Sequence, residues 1–160
     1  WSCTSGLHRM VWSGAVQKVP PVKPEVVIGQ IRTKCQLADD LNDDVIEVKY
    51  SGKAGNIVVF NNAVTYGILL NQSTAVLDPS YTLGKRYTMK IVAVNGTIHV
   101  FYNDLKTAKV LIPCKATGNY FKVGAYTQSN PTKGAKPDAF SEVWLYSAYV
   151  QHSPKLVQGA

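Results

Sequence analysis

Residues Tyr120-Phe121-Lys122-Val123-Gly124-Ala125-Tyr126-Thr127-Gln128 set a phenol, an ammonium, a second phenol and an amide in one two-residue register around a glycine. In an extended strand successive side chains point to opposite faces. Tyr120, Lys122, Tyr126 and Gln128 then share one surface, Gly124 leaves a gap in its middle, and Phe121, Val123 and Ala125 enter a core. Two phenols, a cation and an amide make an odd solubility face and a reasonable binding floor. In Val26-Val27-Ile28-Gly29-Gln30-Ile31-Arg32 the same alternation puts Gln30 and Arg32 on one face and turns Ile31 away. An amide donor beside a planar charged fork is what recognition of a carboxylate needs.

The elements that must position these residues read as strands. Arg9 to Val19, Val26 to Arg32, Asp44 to Tyr50, Asn56 to Asn61, Tyr66 to Leu70, Tyr87 to Val94, Thr97 to Asn103, Tyr120 to Gln128 and Phe140 to Gln151 are rich in β-branched and aromatic residues and separated by turn chemistry. Asn95-Gly96 has the composition of a tight hairpin turn. No stretch sustains a helical period. Regularly spaced strands without helices predict an all-β sandwich or jelly roll of two antiparallel sheets, in one domain over residues 1–160.

With 160 residues, 46% of them hydrophobic, the chain has enough apolar surface for a core. Seventeen Lys and Arg against ten Asp and Glu leave a net charge of +7, so an anionic partner is expected. The cations are scattered singly, with no basic run, phosphate loop or basic helix, which disfavours nucleic acid and suits a groove that meets one carboxylate per sugar. Cys3, Cys35 and Cys114 lack the short paired spacings of zinc sites; in a secreted chain two would be bridged, and the spacing leaves the pairing open. The sequons Asn71-Gln72-Ser73 and Asn95-Gly96-Thr97 are compatible with secretion. Without a membrane-length apolar run or a signal peptide, a mature soluble, secreted monomer without a membrane partner is expected.

The Gly-Gln-Ile strand and the Tyr-Phe-Lys-x-Gly-x-Tyr-x-Gln strand together resemble the alginate lyases of polysaccharide lyase family seven, over nearly the whole chain from Ser5-Gly6 to about His152. Pro20-Pro21-Val22-Lys23-Pro24 and Tyr126 to Pro131 are similar to its bacterial branch. The resemblance implies a jelly roll with a concave cleft and cofactor-free, metal-free β-elimination on a polyuronate. It assigns Gln30 to carboxylate neutralisation, Tyr126 to acid or base catalysis, and Lys122 and Gln128, with Tyr120 beside them, to substrate contact. Two departures fall on the site. Arg32 stands where the family has His, and the family's Arg-(Ser/Thr)-Glu-Leu-Arg strand would fall just before Trp1, so that either the sequence is a fragment of a longer protein or the strand is lost.

Arginine stays protonated throughout the working pH range, so Arg32 cannot be a base and instead serves as a carboxylate clamp. Tyr126 must then take the C5 proton and return it on the same side, the geometry of mannuronate or glucuronate, with mannuronate favoured. The alternative is an inactive protein that grips acidic polysaccharide on the same scaffold. His8, His99 and His152 match no metal spacing or catalytic triad and read as strand or edge residues, with His99 a further cleft-facing candidate. Trp12, Trp144, Tyr146 and Tyr149 read as core or sheet-packing rings. Asp39, Asp40, Asp43 and Asp44 lack calcium-loop spacing and read as a solvated acidic turn; the resemblance implies that the segment after the Gln-Ile strand lies beside the cleft as a lid.

Overall fold

Alternating burial builds the molecule strand by strand. Between Tyr87 and Val94 the side chains of Tyr87, Met89, Ile91 and Ala93 are buried and those between them are not, the period of a half-buried strand. The computed structural model describes residues 1–34, 44–61, 73–133, 135–136 and 138–154. In these the strands are β1 (Leu7–Lys18), β2 (Glu25–Thr33), β3 (Asp44–Ser51), β4 (Asn56–Asn61), β5 (Ser73–Asp78), β6 (Tyr87–Val94), β7 (Thr97–Tyr102), β8 (Val110–Pro113), β9 (Asn119–Thr127) and β10 (Glu142–Ser153).

They form two five-stranded sheets, ordered β10-β1-β6-β7-β8 and β5-β4-β3-β2-β9. Every pairing in both is antiparallel, the expected sandwich. Asn95 and Gly96, at φ 50° and 74°, join β6 to β7 with the two positive values that a tight hairpin turn demands. The strand expected at Tyr66 to Leu70 lies outside the described residues, as do Cys35, Asp39, Asp40, Asp43 and the sequon residues Asn71 and Gln72. Two strands escaped the sequence reading. Both β5 and β8 are short edge strands; β5 has polar ends and an exposed Val76, and β8 closes on a proline, which an edge tolerates.

The core lies between the sheets. Met10, Trp12 and Val16 of β1 and Ile91 of β6 meet Ile28 and Ile31 of β2, Val48 of β3 and Ile57 of β4 in one buried cluster. Cys3 and Cys114 are bridged, with Cα atoms 5.7 Å apart and a sequence separation of 111. A loop of that length, closed in the unfolded chain, corresponds to about 5 kcal/mol of stabilisation in the chain-entropy account. At the same end Trp1 stacks on His8, their ring centroids 4.6 Å apart, and packs on Phe121 of β9 at 4.8 Å. The start of the chain thereby links the two sheets.

Trp12 takes the core position expected of it, but Trp144, Tyr146 and Tyr149 do not, being 52%, 47% and 54% exposed. All three ride on β10, an edge strand paired only with β1 among the described residues. In place of packing, Arg86 lies over the Tyr146 ring at 4.8 Å and Arg9 over Tyr149 at 5.7 Å, contacts of the cation–π kind. His99 is also reassigned: it sits on β7, in the sheet opposite β2 and β9, between Val92 and Leu111.

Candidate active site

Adjacent antiparallel strands bring the two sequence motifs together. β2 pairs with β9 so that Gln30 faces Lys122, Arg32 faces Tyr120, and Val27 faces Tyr126. Between Val27 and Gly29 the register shifts against both neighbouring strands, and Ile28, the extra residue, is fully buried. On β9 the shift leaves Gly124 and Ala125 between the paired residues Val123 and Tyr126. Gly124 has φ 148°, and a Cβ there would meet nothing within 4 Å. A glycine bulge of this kind re-aims the residues beside it. It explains why Ala125, expected in the core, is exposed at the cleft instead. Phe121 and Val123 do pack against the core.

The result is an open cleft of about 340 Å³ lined by Val27, Gly29, Gln30 and Arg32 from β2 and by Lys122 through Tyr126 from β9. Four sequence-predicted residues, Gln30, Arg32, Lys122 and Tyr126, therefore border one cavity. Tyr126 is 53% exposed and lines the cleft. The other two predicted residues lie beside the cleft, not in its lining. The Lys122 ammonium sits 5.5 Å from the centre of the Tyr120 ring, and Gln128 follows the end of β9, its backbone N–H donating to the Glu25 carbonyl at 3.2 Å.

Gln30 is 3% exposed, and its side chain is not idle. Its amide nitrogen donates to Asp44 Oδ1 at 3.0 Å and to Glu47 Oε1 at 3.1 Å. The donor expected to meet a bound carboxylate is thus held by two carboxyl groups of the protein. Arg32 Nε lies 3.0 Å from the same Asp44 oxygen. Burial, together with the charge of Asp44, raises the Glu47 pKa above the usual carboxylate range, against an opposing pull from Lys49 and the Gln30 hydrogen bond. Asp44, expected in a solvated acidic turn, opens β3 instead, and Glu47 lies on the same strand. Their only sequence signal is a pair of acids on the strand after the Gln-Ile motif.

Outside the cleft, His8 is buried, its Nε2–H donating to the Ser5 carbonyl at 2.8 Å and its Nδ1 lying 2.9 Å from Nδ1 of His152. Because the carbonyl can only accept, neutral His8 carries its proton on Nε2, and the hydrogen between the rings comes from His152. Among the described residues no group of three or more His, Cys, Asp or Glu side chains could hold a metal ion. No helix among them is long and apolar enough to cross a membrane.

A family model described as alginate lyase matches residues 1–152. Among solved structures, the alginate lyase AlgAT5 from polysaccharide lyase family 7 is similar at 39% identity and a TM-score of 0.79, over 96% of this chain and 62% of its own. An alginate lyase from Corynebacterium sp. is similar at 32% identity and a TM-score of 0.76, over 96% of this chain and 61% of its own. A family 7 alginate lyase, A1-II′, solved as a double variant in complex with a GGMG substrate, shares the fold at 21% identity and a TM-score of 0.76, over 98% of this chain and 64% of its own. The chain thus spans about three-fifths of the length of these proteins. No match was found among curated proteins. By the family match over residues 1–152 and the 39% identity to AlgAT5, the chain belongs to the alginate lyase family.

Proposed function

We propose that this domain cleaves an alginate-like polyuronate by β-elimination, with mannuronate favoured at the cleaved linkage. The observation that carries the reading is the convergence of Tyr126, Lys122, Arg32 and Gln30 on one open cleft in a chain of the alginate lyase family. The chemical obstacle is the weak acidity of the C5 proton beside the uronate carboxylate. Positive charge near that carboxylate stabilises the negative charge that grows as the proton leaves, and Lys122 and Arg32 supply it. Tyr126, as the phenolate, takes the proton, the C5–H electrons form the C4=C5 double bond, and the C4–O bond breaks. The departing oxygen then takes the proton back from Tyr126. One residue serving as base and acid from one side matches mannuronate, where proton and leaving oxygen lie on the same face of the ring.

Secretion is part of the proposal, and the Cys3–Cys114 bridge supports it, since such bonds persist in oxidising compartments. So is a further strand: β9 is the last strand of its sheet, and Trp1 bonds its first residue, Asn119, through the backbone in both directions, at 2.8 and 3.2 Å. One more strand there, such as the family's Arg-(Ser/Thr)-Glu-Leu-Arg segment, would bring additional cations to the cleft. A second reading, an acidic-polysaccharide-binding protein without turnover, is favoured by the pairing of Arg32 with Asp44, which draws the clamp toward a protein carboxylate.

The test is ultraviolet absorbance of the unsaturated uronate released from mannuronate-rich and guluronate-rich alginate. The parent should cut mannuronate blocks faster, and Arg32→His should shift the preference toward guluronate. Faster cutting of guluronate by the parent would overturn the assignment of base, and alginate binding without product would leave the binding protein.

A further inference from the structure

We propose that Glu47, acting with Asp44, is the positioning residue of this cleft: the two carboxyl groups hold the Gln30 amide by its N–H bonds, so that Gln30 meets a bound sugar with its carbonyl oxygen. The geometry fixes the sense of the amide. Asp44 Oδ1 and Glu47 Oε1 lie 3.0 and 3.1 Å from one end of the Gln30 side chain. Ionised carboxylate oxygens only accept, and a proton held by the pair is engaged in the hydrogen bond between Glu47 and Asp44, so that end is the nitrogen; the carbonyl oxygen there would set acceptors against one another. A buried amide whose two hydrogens are both bonded cannot turn over without breaking charge-assisted bonds. Gln30 nevertheless borders the cleft, and the end left for it is Oε1.

An acceptor does not recognise a carboxylate. It recognises a hydroxyl, so Gln30 would select a sugar O–H while Lys122 and Arg32 meet the charge. This division of labour rests on the polyuronate reading above, but the orientation of the amide does not. The charged groups acting on Glu47 are Asp44 and Lys49 on its own strand; β2 sets Gln30 against it and Arg32 against Asp44, β9 sets Lys122 opposite Gln30, and β4 sets the uncharged Phe60 against it. Burial and the Asp44 charge favour a proton on the pair, so the bonds to Gln30 report the titration of that pair.

The experiment follows the Gln30 side-chain NH2 resonances in 15N-labelled protein, assigned by their loss in Gln30→Met, between about pH 4 and pH 8, a range that spans the ordinary and raised carboxylate values. Both protons should lie away from the free-amide position and move together in one step. In Glu47→Gln the step should vanish, and in Asp44→Asn the other proton should relax. Resonances that ignore pH, or a step that survives Glu47→Gln, would overturn the proposal. With alginate, Glu47→Gln should raise KM on the order of tenfold, as expected for one misaligned hydrogen bond, and should flatten the acid limb of kcat/KM. An unchanged profile in an active variant would also overturn it. If the parent yields no unsaturated product, the lyase reading fails while the amide resonances still decide the positioning role.

Discussion

The indole of Trp12 occupies the space that a side chain on Gly29 would need. A Cβ built there would stand 2.5 Å from Cζ2 and 2.7 Å from Cη2 of that ring. The glycine before Gln30 is thus a contact between sheets: it lets a fully buried tryptophan of β1 close on the strand that carries the cleft. Gly29→Ala should destabilise the fold by about 1–3 kcal/mol, the usual cost of overpacking. A lowered denaturation midpoint at unchanged slope is the expected result, and a midpoint equal to the parent's would contradict the contact.

Tyr126 is exposed at the cleft, and none of the hydrogen bonds described above uses its hydroxyl. Tyr126→Phe should therefore leave stability within about 0.5 kcal/mol, as for a surface position. Under the lyase reading it should lower turnover by roughly 10²–10⁴-fold, the range for loss of a general acid–base group, with alginate binding kept. Calorimetry beside the absorbance assay separates the two effects, and a variant that retains its rate would remove Tyr126 from the chemistry.

Binding of a polyuronate should weaken as salt is added, because exposed cations lose their hold on a polyanion as the screening length shrinks. Lys122 is exposed at the cleft, whereas Lys53 is exposed in the turn between β3 and β4. Lys122→Ala should reduce both the affinity and its salt dependence more than Lys53→Ala. Titrations of alginate at two ionic strengths would show this, and equal affinity for a neutral glucan would count against the assignment of the partner.

Mild acid should loosen the end of the sandwich that holds His8. Burial lowers its pKa, the neighbouring His152 adds to that, and the hydrogen bond to the Ser5 carbonyl opposes it. The folded value lies below the ordinary 6.5, so the unfolded chain binds the proton more readily. Stability is then complete above about pH 6.5 and declines as pH falls toward the folded value. Asp78, where burial is outweighed by Tyr102, Ser80 and Lys85 so that its carboxylate is held low, stabilises fully above about pH 4 and loses that contribution only as pH falls below it. Glu47, with its raised value, works in the opposite direction, its effect growing more favourable as pH drops. Thermal midpoints of the parent and His8→Gln between about pH 7 and pH 5 isolate the histidine: the parent should lose more than the variant, and parallel slopes would refute its role.

What the sequence determined was the material of each strand. Alternation in β2 and β9 placed Gln30, Arg32, Lys122 and Tyr126 on one face, because side-chain direction in a strand has a period of two and needs only local sequence to be read. Asn95-Gly96 likewise specified its own hairpin. Short-range rules fail where a strand gains a residue. Asp44 and Glu47 are three positions apart, an odd spacing that simple alternation assigns to opposite faces. A register shift pairs Ile31 with Ile46 but Arg32 with Asp44, leaving Val45 as the extra residue, buried beside Ile46 in the core. That shift puts both acids against Gln30. Similarly, the bulge at Gly124 exposes Ala125, and the edge position of β10 exposes its rings. Bulges and edges depend on which strands become neighbours, and pairing between residues far apart in the chain is decided only when the two sheets close over their shared core.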